Sequence, residues 1–135
     1  MPGKKMKILI VDDDSFLLDM YALKFNQNNF EVYTAGDGAQ SIEKIKGGLS
    51  PDVMLVDIIM PVMDGFEMLE KINNEKLLPN STKIILSNKS QQSDIDRGNS
   101  LGVSGYIIKA NSTPVEVINH VIDIVGKKIV IPKSK

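Results

Sequence analysis

Four places in the chain carry side chains that could act on one group together: Asp12-Asp13 after the apolar run 8–11, Asp57 after 53–56, Ser87 after 84–86 and Lys109 after 106–108. Taken singly, a terminal Asp is a helix cap, Ser87 a turn residue and Lys109 a surface lysine. Taken together they are a reaction site. Three carboxylates within a few ångströms repel, and at least one holds a proton unless a cation sits among them. Oxygen ligands without His or Cys select a hard divalent ion, Mg²⁺ or Mn²⁺. Lys109 is a point charge suited to a phosphoryl oxygen or, without phosphate, to pairing with Asp57, and Ser87 adds a neutral hydrogen bond. A carboxylate flanked by a metal and an ammonium is equipped to attack a phosphoryl group and become an acyl phosphate. The two cations offset charge growing on the equatorial oxygens during in-line attack.

That chemistry requires a fold that brings four distant places to one edge. The runs 7–11, 31–35, 53–56, 83–86 and 105–108 are short, apolar and β-branched-rich, as strands buried on both faces are, with 31–35 the weakest and nearest an edge. Between and after them the spacing predicts five helices. The first runs from a Ser15 cap to about residue 28, and the second over 39–46 ends at Gly47-Gly48. The third covers 66–74, the fourth runs from a Ser90 or Ser93 cap to Leu101 and Gly102, and the last starts at Ser112-Thr113-Pro114 and ends at Gly126. Five strands alternating with five helices make a doubly wound α/β sheet of parallel strands with right-handed crossovers. In such sheets the site lies beyond the carboxyl ends of the strands, where these polar residues fall. The last helix is apolar over about half its circumference, either because it is deeply seated or because Val117, Val121 and Ile124 form a partner surface.

Composition narrows the classes further. At 135 residues, 42% hydrophobic and 24% charged, the chain is one globular domain. It has no Cys, and a single Arg, Arg97, among 16 basic residues, so disulfides, thiolate metal sites and direct nucleic-acid recognition are not expected. No apolar run suits a membrane span or a signal peptide, and the expected location is cytoplasmic. Residues 126–135, with four Lys, read as a basic tail or the start of a linker.

With Asp12-Asp13, Asp57 followed by Met60-Pro61-Val62-Met63-Asp64-Gly65, Ser87 after Ile84-Ile85-Leu86, the Gly102 to Tyr106 segment and Lys109, residues 6 to 125 resemble the receiver domain of two-component response regulators. The resemblance implies a flavodoxin-like sheet with strand order 2-1-3-4-5. It also implies phosphorylation of Asp57 by a histidine kinase, a phosphotransfer protein or a small phosphodonor. Mg²⁺ would be held by Asp13, Asp57 and the main-chain carbonyl of Ile59, with Asp12 acting mainly through one of the ion's waters. Ser87 and Tyr106 would form a switch pair: the Ser87 hydroxyl moves to the new phosphoryl group and the Tyr106 ring turns inward. The face made by the fourth helix, fifth strand and fifth helix, with Tyr106, Val117, Val121 and Ile124, would then meet a downstream protein or a second copy. Such a module is a signalling device and not an enzyme.

Three departures from the family pattern stand out. Ala110 follows Lys109 where a cis-bonded Pro is usual; a cis bond without Pro costs roughly 2.5 to 4 kcal/mol, so the loop carries that cost or runs trans and places Lys109 differently. Asn88 occupies a position where a small residue is usual and narrows the approach to the phosphoryl group. Ile59 and Lys89 stand where the family controls access of water, and apolar Ile59 is expected to slow hydrolysis of the acyl phosphate. Three other readings compete: a receiver-like interaction module that takes no phosphate, a phosphatase using Asp12 as nucleophile through the Asp12-Asp13-Asp14 spacing, and a flavin carrier. The phosphatase reading lacks a later carboxylate pair, and the acidic loop after the first strand would repel a flavin phosphate.

Overall fold

In the computed structural model, which describes residues 5–128, strand and helix alternate from end to end. The order is β1 (Met6–Val11), α1 (Ser15–Gln27), β2 (Phe30–Ala35), α2 (Gly38–Lys46), β3 (Val53–Val56), α3 (Gly65–Asn74), β4 (Thr82–Ser87), α4 (Gln92–Ser100), β5 (Gly105–Ile108), a 3-10 turn (Lys109–Asn111) and α5 (Pro114–Lys128). All four strand pairings are parallel, in the order β2-β1-β3-β4-β5. β2 lies at an edge, as its weaker pattern predicts.

Because successive strand side chains point to opposite faces, each strand feeds two cores. On one face Ile8, Ile10, Leu55 and Ile84 meet Leu18, Tyr21 and Phe25 of α1 and Val117, Ile118 and Val121 of α5. On the other, Leu9, Val11, Met54, Val56 and Ile85 meet Ile42 and Ile45 of α2 and Phe66, Leu69 and Ile72 of α3. The α4 helix is the exception: only Gly98 is buried. A Cβ at Gly98 would stand 3.0 Å from Ile85 Cδ1 and 3.2 Å from a Tyr106 ring carbon, so glycine lets the helix backbone rest directly on them. Its other ties are exposed and polar. Arg97 reaches Glu70 at 3.1 Å and lies over the Phe66 ring, and Asn73 Nδ2 donates to the Leu101 carbonyl at 2.9 Å.

Several helix ends differ from expectation. The α1 cap is Asp14, whose carboxylate accepts from the Leu17 N–H at 3.1 Å; Ser15 is already the first helical residue. The α4 helix starts after Gln91, whose N–H donates to Asp94 at 3.1 Å, leaving Ser90 outside and Ser93 within the helix. At α5 the expected hydroxyl cap is present: Thr113 Oγ1 accepts from the Glu116 N–H and Glu116 accepts from the Thr113 N–H. Gly126 does not end α5, which continues to Lys128; one interior glycine costs about 1 kcal/mol, which this apolar helix absorbs. Residues 129–135 of the expected tail lie outside the described residues.

The expected partner surface is corrected at two positions. Val117 and Val121 are fully buried, because the centre of the wide apolar arc of α5 faces the sheet and α1. Ile124 is half-buried against Gly105, where an added Cβ would overlap its Cδ1. The exposed apolar side chains of α5 are Val115 and Ile122.

Candidate functional site

The strands end together on one edge because they pair in parallel and in close register: Val11 is opposite Val56, and Val56 is opposite Ile85. The next residues therefore converge. Asp12 and Asp57 are buried, Ser87 is fully buried and Asp13 is exposed. Carboxylate oxygens of Asp12, Asp13 and Asp57 lie within 4.8 Å of one another. Opposite oxygens on an octahedral Mg²⁺ are separated by about 4.2 Å, so this all-oxygen set fits such an ion with a small closure.

Lys109 crosses to the acidic group from the far side of the sheet. Its ammonium donates to Asp12 Oδ2 at 2.8 Å and to Asp57 Oδ2 at 3.1 Å. The other oxygens are also engaged: Asp12 Oδ1 accepts from the Asp14 N–H at 2.9 Å, and Asp57 Oδ1 from the Ile58 N–H at 2.7 Å. Burial pushes the Asp57 carboxyl above the usual range, and the Asp12 charge adds to this; Lys109 and the Ser87 hydroxyl pull the other way without cancelling it. For Lys109, burial alone would lower the pKa, but the hydrogen bonds and charges of Asp12 and Asp57 together outweigh it and hold the ammonium above its ordinary value. The site therefore carries a firmly charged cation beside a carboxylate that is costly to keep ionised.

The turn behind Asp57 is fixed by close packing. The Gly65 N–H donates to the Ile58 carbonyl at 2.9 Å, and a Cβ at Gly65 would overlap the Asp57 carbonyl oxygen and stand 2.9 Å from Ile58 Cα. Asp64 and Glu67 then close a capping box on α3. Ile59 is 59% exposed at the rim.

On the other side, the β4–α4 loop is laced to β5 and the turn after it. The Lys89 N–H donates to Ser87 Oγ at 3.3 Å, and the Tyr106 hydroxyl donates to the Lys89 carbonyl at 2.5 Å. Burial pushes the Tyr106 pKa up to about 12, so this donor keeps its proton. The Lys109–Ala110 bond is trans, as are all peptide bonds among the described residues, and the Ala110 N–H donates to Asn88 Oδ1 at 2.8 Å. Of the residues named from sequence, Asp12, Asp13, Asp57, Ser87 and Lys109 come together, with Tyr106 one loop away. The Lys109–Asp12 bond, the Asp14 N–H on Asp12 and the Asn88–Ala110 bond were not anticipated. Neither was Tyr21, whose buried hydroxyl has its pKa raised by burial and lies close enough to feel Lys109, Asp12 and Asp57. The Asp14 N–H on Asp12 spans two residues and is an Asx turn of a kind that local sequence can suggest, whereas the long-range partners have no signal in spacing, Asp12 and Lys109 being 97 residues apart.

Comparison with known proteins agrees with this geometry. A family model described as the response regulator receiver domain matches residues 8–121. Among curated proteins the chain is 32% identical over 114 residues to the response regulator GtcR of Aneurinibacillus migulanus, covering 84% of this chain and 45% of that protein. It is 30% identical over 111 residues to the alkaline phosphatase synthesis transcriptional regulatory protein PhoP of Bacillus subtilis, covering 82% and 45%. The chain thus spans less than half the length of these relatives. Among solved structures, a CheY-like response regulator receiver domain protein from Methanospirillum hungatei superposes with a TM-score of 0.83 at 26% identity, over 93% of this chain and 97% of that one.

Proposed function

The chain belongs to the response regulator receiver domain family of two-component signalling, and from that premise we propose that Asp57 accepts a phosphoryl group in a Mg²⁺-dependent reaction and that the modification switches a protein-binding face. The observation that carries this reading is the buried Asp57 carboxylate, 3.1 Å from the Lys109 ammonium and beside Asp12 and Asp13 on one sheet edge. A carboxylate oxygen of Asp57 attacks phosphorus and forms a new P–O bond as the P–N bond of a phosphohistidine, or the P–O bond to the acyl oxygen of a small donor, breaks and releases the imidazole or the carboxylate. Lys109 offsets charge on the equatorial oxygens. Asp13, Asp57 and the Ile59 carbonyl would hold a divalent ion, Mg²⁺ or Mn²⁺, with Asp12 in support; when bound, the ion would supply a second positive charge to offset charge developing on the phosphoryl oxygens.

The output step uses Ser87 and Tyr106. The Ser87 hydroxyl turns to a phosphoryl oxygen, its bond from the Lys89 N–H is disturbed, and the Tyr106 side chain tied to the same residue resets with it. That biases the face of α4, β5 and α5, including Tyr106 and Ile124, toward a downstream protein or a second copy. Exposed Ile59 at the rim slows attack by water, so the acyl phosphate is longer-lived than in Ile59→Asn. The partners are a histidine kinase or phosphotransfer protein upstream, with cytoplasmic location; no helix among the described residues is long and apolar enough to cross a membrane.

Incubation with acetyl phosphate and Mg²⁺, read by intact mass, tests the proposal. The expected result is gain of one phosphoryl group, lost in Asp57→Asn and kept in Ser87→Ala. No gain would identify an interaction module that takes no phosphate, and turnover abolished by Asp12→Asn would identify a phosphatase.

A further inference from the structure

We propose that Asn88 is a positioning residue for Lys109, acting through its hydrogen bond to the Ala110 main chain; the inference rests on the phosphoryl-acceptor reading of Asp57. The amide of Ala110 lies in the first turn of the 3-10 segment Lys109–Asn111, where an N–H has no partner within the turn. Asn88 Oδ1 supplies that partner at 2.8 Å across 22 residues of sequence. Asn88 and Ala110 are both exposed, so the bond is not part of the core. Its place gives it meaning: Asn88 directly follows buried Ser87, and Ala110 directly follows Lys109, the ammonium bonded to Asp12 and Asp57.

Three consecutive residues, from the end of β4 into the loop, are thereby tied to the site. Ser87 Oγ accepts from Lys89, Lys89 accepts from Tyr106, and Asn88 accepts from Ala110. The long, flexible Lys109 side chain is directed by where its own backbone is held, and Asn88 holds the adjoining peptide. Without that bond the turn rotates more freely and the ammonium spends less time where the equatorial phosphoryl oxygens develop charge. Among the described residues Asn88 bonds the Ala110 main chain, while the Lys109 side chain bonds Asp12 and Asp57, so the effect of Asn88 reaches the reaction through the Lys109 main chain. The same bond links motion at Ser87 to motion at Lys109, because residues 88 and 110 move together while it persists.

The test is a mutant cycle on the rate of phosphoryl uptake from acetyl phosphate with Mg²⁺. Asn88→Ala is expected to lower the limiting rate about fivefold, the factor that matches one neutral hydrogen bond, with the half-saturating acetyl phosphate concentration unchanged. The same loss is expected in an Ala110→Gly background, which keeps the N–H. In Ala110→Pro, which lacks it, Asn88→Ala should change the rate by less than about twofold, since coupled residues are non-additive. Should Ala110→Pro not fold, hydrogen exchange at the Ala110 amide decides instead, faster in Asn88→Ala than in the unmodified chain. Equal losses in all backgrounds, a rate that rises in Asn88→Ala, or unchanged Ala110 exchange would overturn the role of Asn88 while leaving Asp57 as acceptor. Failure of the unmodified chain to take up phosphate would overturn the acceptor reading and the role of Asn88 with it.

Discussion

Replacing Gly65 by Ala tests whether the turn behind Asp57 is as tightly built as its contacts imply. The new methyl group would overlap the Asp57 carbonyl oxygen and stand 2.9 Å from both Ile58 Cα and Ile58 Cδ1. Two of these neighbours are backbone, which cannot rotate away, so the strand end or the start of α3 must shift. Overpacking costs typically about 1–3 kcal/mol, and contact with backbone places this case near about 3. Ala is a better helix former than Gly by at most about 1 kcal/mol, and less at the first helical residue, so the net loss is about 2–3 kcal/mol. For a domain of this length each kcal/mol moves the melting midpoint about 4 °C, which predicts a fall of about 8–12 °C. Because the Asp57 main chain itself moves, phosphoryl uptake should fall at least about tenfold even well below the midpoint. Gly38→Ala is the milder comparison: its two nearest neighbours, Met63 Sδ at 2.9 Å and Cγ at 3.2 Å, belong to a side chain that can move, and its main-chain neighbour, the Met63 carbonyl oxygen, is at 3.3 Å and need give only a few tenths of an ångström, so the cost should stay within about 1 kcal/mol. Thermal unfolding by circular dichroism, paired with the mass assay, reads both effects. A Gly65→Ala midpoint within about 2 °C of the unmodified chain would refute the reasoning.

Other outcomes follow from the same geometry. The Asp57 carboxyl has a folded pKa above its unfolded one, so between the two values the native state binds more protons and stability falls as pH rises through that window. Without divalent ion, Asp57→Asn should therefore melt above the unmodified chain at pH 7–8, with the difference closing as pH drops through the Asp57 titration; a lower midpoint at pH 8 contradicts this. Tyr106→Phe removes the donor to the Lys89 carbonyl and should cost about 0.5–1 kcal/mol in denaturant unfolding. With the Tyr106 pKa raised from 10.0 to about 12, the unfolded hydroxyl ionises before the folded one, so that difference should hold from about pH 6 to 9 and shrink as pH rises through about 10 to 12; a difference that stays constant through that window would mean that the folded pKa is not raised. Asp64→Ala breaks the α3 capping box and should cost about 1 kcal/mol, seen as a lower melting midpoint with phosphoryl uptake retained; loss of uptake would show that the cap also aims Asp57.

The strand ends were legible because a parallel sheet buried on both faces needs uninterrupted apolar runs, and a polar residue ending such a run must lie at its edge. Asp12, Asp57, Ser87 and Lys109 were found that way. Helix boundaries were less legible where several good caps adjoin: Asp14 and Ser15 are equally suited by type, and only the Leu17 N–H distinguishes them. The apolar arc of α5 could be counted but not oriented, which is why Val117 and Val121 were placed on a surface although the sheet covers them. Ala110 could be seen to forgo a proline, but that its free N–H would be used by Asn88 depends on two loops meeting, which no local pattern records.

The sparse attachment of α4 has a consequence for how readily this helix opens. Among the described residues this helix buries one glycine and is otherwise held beside Tyr106 mainly by exposed polar ties, each worth little in water, and by Arg97 lying over the Phe66 ring. An element so attached can detach without unfolding the sheet, and its amides should exchange with solvent through local opening at a free energy well below that of the whole domain. A shift of about 1.4 kcal/mol changes such an opening equilibrium tenfold. The helix next to the acidic edge is thus an element whose attachment a small free-energy change can shift.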